Sequence, residues 1–168
     1  MAELIVLRLI HILGAILWLG SGLFTTFFLQ PAMMKAGPAA AGPIIANLQQ
    51  RRMFTILPIV ALLTILSGIR LMMIVSAGSS QWFESPVGRT FSISGALGLV
   101  SFLTSILIAR PATVRMGKLS QSPVPDGTSK EARAAEIRLV QKRATWSTQT
   151  AVGLLILAAA GMAVARYM

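Results

Sequence analysis

The sequence predicts an all-α integral membrane protein, a bundle of four transmembrane helices. Hydrophobic residues make up 55% of the 168 positions and charged residues only 12%, whereas about a quarter of a soluble domain is charged. Four apolar windows, about 4–29, 53–75, 91–109 and 145–165, each have the roughly 20 residues that a helix needs to cross a bilayer. None has the strict alternation of a barrel strand, so the spans should be helices. Residues 1–168 are expected to form a single membrane domain.

The first window, 4–29, is longer than the apolar core of a signal peptide, which has about 7–15 residues. We therefore expect it to remain as a membrane helix, although Ala39-Ala40-Ala41 resembles a cleavage site. The segment that follows is rich in Ala, Gly and Pro. Its three prolines are expected to break any long helix, because proline lacks the amide hydrogen and clashes with the preceding turn; they are Pro31, Pro38 and Pro43.

The second window contains Pro58, which predicts a kink. The connection after it carries Trp82 and Phe83, aromatic types that favour the membrane–water boundary. Before the fourth window, Thr128 and Glu131 have capping-box spacing. Residues 129–144 then form a predicted basic helical extension, on the cytoplasmic side, that runs into the fourth span as a rod of about 50 Å.

Basic residues are concentrated on one side of the predicted bundle. The first and third connections carry eleven of them, and the opposite side carries four; the eleven are Lys35, Arg51, Arg52, Arg110, Arg115, Lys118, Lys130, Arg133, Arg138, Lys142 and Arg143. The positive-inside rule then places these connections in the cytoplasm and both termini on the periplasmic side of a bacterial inner (cytoplasmic) membrane.

The net charge of +10 is explained by this topology and by attraction to anionic membrane lipids. Basic residues are not interleaved with aromatic ones, so nucleic acid is not an expected partner. The chain has no cysteine and only five acidic residues, none of them paired within a span. No phosphate loop, zinc motif or catalytic triad is present. The sequence therefore favours a protein without catalytic residues.

His11 is the only histidine, and it lies inside the first window. Ionisable residues inside a span are costly and often functional. A neutral imidazole there either ligates a metal, here haem iron or a pigment magnesium, or hydrogen-bonds to a carbonyl or hydroxyl. Gly14 and Trp18 lie on the same helical stripe, where small residues admit a neighbouring helix or a flat macrocycle.

Two residues of the second window fall at a similar depth. Arg70 could pair with the propionates of a tetrapyrrole such as haem b, and Met72 could supply a second axial ligand. Each also has a simpler interpretation. Arg70 can extend to the outer interface, and Met72 can pack in the bundle.

The run from Arg8 to Gly20, with its His-x₆-Trp spacing, resembles the first helix of four-helix bacterial membrane proteins related to the copper-resistance D domain. J-type protoporphyrinogen oxidases and uncharacterised proteins of similar size share this pattern. Leu66–Met72 is similar to the end of their second helix. The resemblance implies a four-helix fold and makes His11 the counterpart of a haem-ligating histidine. The oxidase relatives carry further histidine and lysine in later helices, which this chain lacks in its later windows.

Two functions are compatible with these observations. The first is a non-catalytic accessory subunit of a larger membrane complex, such as a respiratory or photosynthetic assembly, that packs against partner helices or pigments. The second is a b-type haem protein with His11 as axial ligand, in electron transfer or redox sensing.

Overall fold

The computed structural model describes residues 1–122 and 129–168, and in these ranges every regular element is helical. We number six helices along the chain: α1 begins at Ala2 and ends at Ala36, α2 is Pro38–Gln50, α3 is Met53–Ser76, α4 is Ser80–Glu84, α5 begins at Pro86 and ends at Gln121, and α6 is Lys130–Val164, followed by a 3₁₀ turn Ala165–Tyr167. Helices α1, α3, α5 and α6 are long and apolar enough to cross a membrane. The predicted class, all-helical with four candidate spans, is confirmed.

The four spans alternate in direction, so both chain termini lie at one end of the bundle. At this terminal end, Glu3 of α1 pairs with Arg70 near the end of α3, and Thr90 of α5 donates a hydrogen bond to the sulfur of Met168. The opposite end, the basic end, holds α2 and the first turns of α6. That the terminal end faces the periplasm stays a prediction.

The bundle consists of two helix pairs. Helix α1 packs mainly against α3, and α5 packs mainly against α6, while fewer contacts join the two pairs. One of the joining contacts is between Trp18 of α1 and Phe102 of α5, whose ring centroids are 6.3 Å apart in an edge-to-face arrangement. The arrangement is that of two antiparallel hairpins placed side by side.

Small side chains fill the space between the helices of each pair. The largest side chains that are fully buried are serines, Ser94, Ser101 and Ser147. Leu, Ile and Phe side chains lie mostly on the outer surface. The core of a soluble protein has the opposite distribution. In lipid, which is as apolar as leucine, burying a leucine side chain gains little free energy, whereas small residues allow two helix backbones to come close.

Two glycines mark where the paired helices come closest. A Cβ on Gly14 of α1 would overlap the hydroxyl of Thr64 in α3, and a Cβ on Gly161 of α6 would overlap the hydroxyl of Ser94 in α5. The Ser101 hydroxyl also donates a hydrogen bond across the second pair, to the Ala151 carbonyl at 2.7 Å. Each pair is therefore held by direct backbone-to-side-chain contact.

The expectation that prolines break the first connection is wrong in part, because α1 continues through Pro31. A π-helical turn, Thr25–Leu29, ends two residues before Pro31. The backbone N–H of Gln30 donates to the backbone carbonyl of Thr25, an i→i−5 bond. Such a turn displaces the carbonyl that a proline ring would otherwise strike.

The same backbone arrangement occurs in α5. There the π-turn Ser105–Ala109 precedes Pro111, and the backbone N–H of Arg110 donates to the Ser105 carbonyl. The expected break is found at Gly37-Pro38, because α1 ends at Ala36 and Pro38 begins α2, where its missing amide hydrogen has no partner to lose. Pro43 is accommodated inside α2. Thr128 of the predicted capping box lies outside the described residues. The described N-cap of α6 is Ser129, whose hydroxyl accepts from the Ala132 amide at 3.1 Å.

The hydrogen bond from Ser101 to Ala151 predicts a specific loss of stability. Ser101→Ala should lower the free energy of unfolding by about 1 kcal/mol, since the change removes a buried interhelical bond. Ser105→Ala is the matched control, because the Ser105 hydroxyl bonds only within α5, to the Ser101 carbonyl. Unfolding of both variants in mixed detergent micelles measures the difference. Equal losses would contradict the role given to Ser101.

Candidate functional site

The imidazole of His11 lies between α1 and α3. Its Nδ1 is 2.8 Å from the backbone carbonyl oxygen of Thr64. A carbonyl oxygen can only accept, so Nδ1 carries the hydrogen and donates. In the neutral ring, Nε2 then has the free lone pair, which is the tautomer that metal-ligating histidines have when Nδ1 is held by a carbonyl.

Gly68, one turn along α3 from Thr64, makes room for this ring. A Cβ at position 68 would be 2.7 Å from His11 Cε1 and 3.0 Å from Nδ1. Real Cβ atoms do not approach so closely, and here the obstacle is a ring held by its own hydrogen bond. The imidazole of His11 therefore packs directly against the backbone of α3 at Gly68.

Arg70 has Glu3, and not His11, as its described partner. Its guanidinium forms an ion pair with Glu3, with Nη2 and Nε at 2.7 and 2.8 Å from the same carboxylate oxygen. Both side chains are more than half exposed. The pair joins the first turn of α1 to the last turns of α3, in agreement with the interpretation that Arg70 reaches the interface.

The other residues predicted around a tetrapyrrole also have partners of their own. Met72 is half-buried, and its sulfur lies 4.0 Å from the Ser92 hydroxyl of α5. Trp18 contacts Phe102, and Gly14 faces Thr64. The structure thus brings together His11, Gly14 and the Thr64–Gly68 turn, and it directs Arg70, Met72 and Trp18 to other neighbours. Of the predicted set, His11 and Met72 carry atoms that can ligate haem iron, and the Met72 sulfur faces Ser92 of α5. Within the described ranges, no three His, Asp or Glu residues form a metal-binding cluster.

A second polar region lies at the basic end, and the sequence analysis did not predict it. A partly open cavity of about 130 Å³ is lined by α1, α2, α5 and α6. Its polar lining consists of two amides and four hydroxyls, with methionine, isoleucine and alanine between them; the polar residues are Thr25, Gln30, Thr113, Gln141, Thr145 and Thr148. No lining residue is charged, although this end carries most of the basic residues of the chain.

Gln30 crosses from α1 to α6 at this cavity. Its Nε2 donates a hydrogen bond to the Thr145 hydroxyl at 2.9 Å. Its Oε1 is shielded from solvent and has no hydrogen-bond partner among the described residues, and the Thr26 hydroxyl, in the preceding π-turn, is in the same condition. A buried unpaired acceptor costs about 1–3 kcal/mol. Both orphan groups belong to the part of α1 that its π-turn distorts, and π-turns often occur at functional sites.

The cavity could not be found from hydropathy, because it lies where spans end and its lining comes from residues as distant in sequence as Thr25 and Thr148. The sequence does contain a pattern that marks the π-turns. In both Thr25–Pro31 and Ser105–Pro111, a residue with a hydroxyl group lies six positions before a proline, and a polar residue lies just before that proline. This repeated pattern coincides with the two π-turns.

Comparison with known proteins gave no match: no family model fits the chain, and no curated protein or solved structure is significantly similar to it.

Because the His11 ring packs against Gly68, we expect the effects of substitutions at these two residues on the free energy of unfolding to be coupled. Gly68→Ala should cost about 1–3 kcal/mol of stability, because the new methyl group displaces a packed ring. In a His11→Ala background the same change should cost much less, since the space is vacated. A double-mutant cycle of unfolding free energies measures the coupling. A Gly68→Ala cost that is the same in both backgrounds would show that the ring is not held there.

Proposed function

We propose that this protein is a non-catalytic accessory subunit of a larger membrane complex, such as a respiratory or photosynthetic assembly, and that α1 is the helix that docks against the partner. The supporting observation is a shallow groove on the outer face of α1, at Gly20 and Ser21. Leu13, Leu17 and Phe24 are among the residues that wall it.

Nothing in the described structure occupies this groove. A Cβ on Gly20 would meet no atom within 4 Å, whereas Gly14 and Gly22 of the same helix meet Thr64 and Val152. Glycine inside a helix costs about 1 kcal/mol relative to alanine. Gly95, Gly98 and Gly153 also meet open space, so what distinguishes Gly20 is the groove formed around it by Leu13, Leu17 and Phe24.

The exposure of α1 is consistent with this role. None of its residues from Ala2 to Phe24 is fully buried, while α3 buries Ala61, Thr64, Ser67 and Ser76. The outer face of α1 is apolar, with exposed leucine and isoleucine on either side of the groove. These features suit one transmembrane helix of a partner subunit, whose side-chain ridge would enter the groove.

The accessory role predicts that filling the groove releases the protein from its complex. Gly20→Leu should leave the bundle folded but abolish co-migration with a larger assembly when native membranes are solubilised in mild detergent. Gly95→Leu is the matched control, because position 95 also meets open space but on α5, and it should co-migrate as the unmodified chain does. An unmodified chain that runs alone at 17.9 kDa would contradict the proposal, as would release by both variants.

The geometry of His11 favours a second candidate, a b-type haem protein. The Nδ1 bond to the Thr64 carbonyl leaves Nε2 as a potential axial ligand. Haem would supply reversible one-electron chemistry, and this chain would hold the tautomer and orientation of its ligand. The partners of Arg70 and Met72 described above make this candidate weaker, since neither is directed to His11.

The haem candidate predicts a Soret band in the isolated chain that His11→Ala abolishes and Met72→Ala retains. Absorption spectra of the purified variants, with circular dichroism to confirm helical content, provide the measurement. A colourless isolated chain, or a band that survives His11→Ala, would exclude His11 as the ligand.

A further inference from the structure

At the basic end, α6 has a face that the rest of the described chain leaves uncovered. The exposed residues between positions 135 and 149 all fall on this face, which spans about 140° of the helix surface; they are Ala135, Arg138, Leu139, Lys142, Arg143, Trp146 and Gln149. Trp146 is 63% exposed. Viewed along the helix axis, it lies between Lys142 and Arg143, about one turn from each.

Three cations lie on this face without a carboxylate partner among the described residues. Arg138 donates only to the Ala134 carbonyl one turn earlier, at 3.4 Å. The side chains of Lys142 and Arg143 form no ion pair within the described chain. Like charges one turn apart, as at Arg138 and Lys142, destabilise a helix. A bound anion would convert this repulsion into attraction.

The acidic residues of α6 do not neutralise these cations. Glu136 is bonded to Arg115 of α5 at 2.8 Å and lies 3.5 Å from Arg133. Glu131 lies about two turns from Arg138 and forms no ion pair with any described residue. The negative charge that complements this face therefore has to come from another molecule.

The position of the cations along α6 matches the depth of lipid headgroups. The predicted apolar span of α6 begins at residue 145, next to Trp146. Lys142 and Arg143 lie about 4.5–6 Å beyond Trp146 along the helix axis, and Arg138 lies about 12 Å beyond it. The polar layer on each side of a bilayer is about 5–8 Å thick. Lys142 and Arg143 are thus at headgroup level, and Arg138 can extend its long side chain back towards it.

Trp146 favours a lipid over a soluble anionic partner. Indole has an apolar ring and one N–H donor, and it is enriched where a membrane meets water. The Cα–Cβ bond of Trp146 tilts towards the N-terminus of α6, and therefore towards Lys142 and Arg143. On the other side of Trp146, the same face continues into the span with exposed Ile156 and Leu157. An acyl chain can follow this apolar surface while its phosphate lies beside the cations, whereas an acidic protein surface would contact only the cations.

We propose that Arg138, Lys142, Arg143 and Trp146 form a binding site for one phospholipid with a net negative charge. Its phosphate is held by the three cations and its glycerol and upper acyl chain lie against the indole. A zwitterionic lipid fits less well, because its own ammonium group is repelled by the same cations. The site requires only that α6 crosses the membrane, so it is independent of the accessory role and of His11.

The first test compares two lipids that differ only in the headgroup. Native mass spectrometry of the full-length chain in an uncharged detergent measures binding of dioleoyl phosphatidylglycerol and of dioleoyl phosphatidylcholine. A basic residue near headgroups contributes about fivefold to the attraction of anionic lipid. The first phosphatidylglycerol should therefore bind at least tenfold more tightly than phosphatidylcholine. Equal affinities would overturn the proposal and leave an acidic protein surface as the occupant of this face.

A matched pair of triple variants separates a site from diffuse attraction to a positive protein. Arg138→Gln/Lys142→Gln/Arg143→Gln should weaken phosphatidylglycerol binding at least tenfold. Lys35→Gln/Arg51→Gln/Arg52→Gln removes the same three charges from other exposed positions of the basic end, and it should weaken binding less than about threefold. Equal losses in the two variants would show that only the net charge matters, and would overturn the proposal.

Fluorescence quenching locates the lipid while the three cations stay in place. The chain has three tryptophans, so Trp18→Phe/Trp82→Phe leaves Trp146 as the only reporter. In phosphatidylcholine vesicles that contain about one-tenth brominated lipid, brominated phosphatidylglycerol should quench Trp146 several-fold more than brominated phosphatidylcholine does, because the site concentrates the anionic lipid beside the ring. The same quenching by both lipids would show that Trp146 is not part of an anionic-lipid site.

Discussion

In a bilayer, helices gain little hydrophobic free energy by packing against one another, and the packing in this protein is compatible with that constraint. Its helices are held where small residues let backbones come close and where hydroxyl or imidazole groups bond across. Gly14 faces Thr64, Gly161 faces Ser94, and Ser101 donates to the Ala151 carbonyl. Large apolar residues are left for the lipid. The result is two closely packed hairpins with a less extensive contact between them.

Hydropathy predicted the four long apolar helices well, because a helix that can cross a membrane needs a long, mostly apolar segment. The function of the small-residue stripe on α1 could not be predicted in the same way. Gly14 is the same residue whether a macrocycle or a helix lies against it, and only the structure shows that Thr64 lies there. The prolines were misjudged for a related reason. Pro31 would break a regular helix, but a π-turn just before it, which no hydropathy pattern reveals, allows α1 to continue.

The two ends of the bundle have different characters. At the terminal end, the Glu3–Arg70 ion pair and the His11–Thr64 hydrogen bond fasten α1 to α3. At the basic end, both π-turns are followed by prolines, and α1, α2, α5 and α6 line an uncharged, partly open polar cavity. The groove at Gly20 lies between these ends on the outer face of α1. The predicted site residue His11 thus lies in regular helix with a hydrogen-bond partner, and the unpaired groups lie in or just after the π-turn of α1.

Cross-linking in native membranes can show whether α1 meets a partner helix at Gly20. The chain has no cysteine, so Gly20→Cys introduces the only thiol, and a short thiol-directed photocross-linker can report its neighbour. We expect one discrete protein adduct at position 20, with a partner that mass spectrometry identifies as a different chain, and none from Gly95→Cys. Adducts with lipid alone, or with a second copy of this chain, would contradict it.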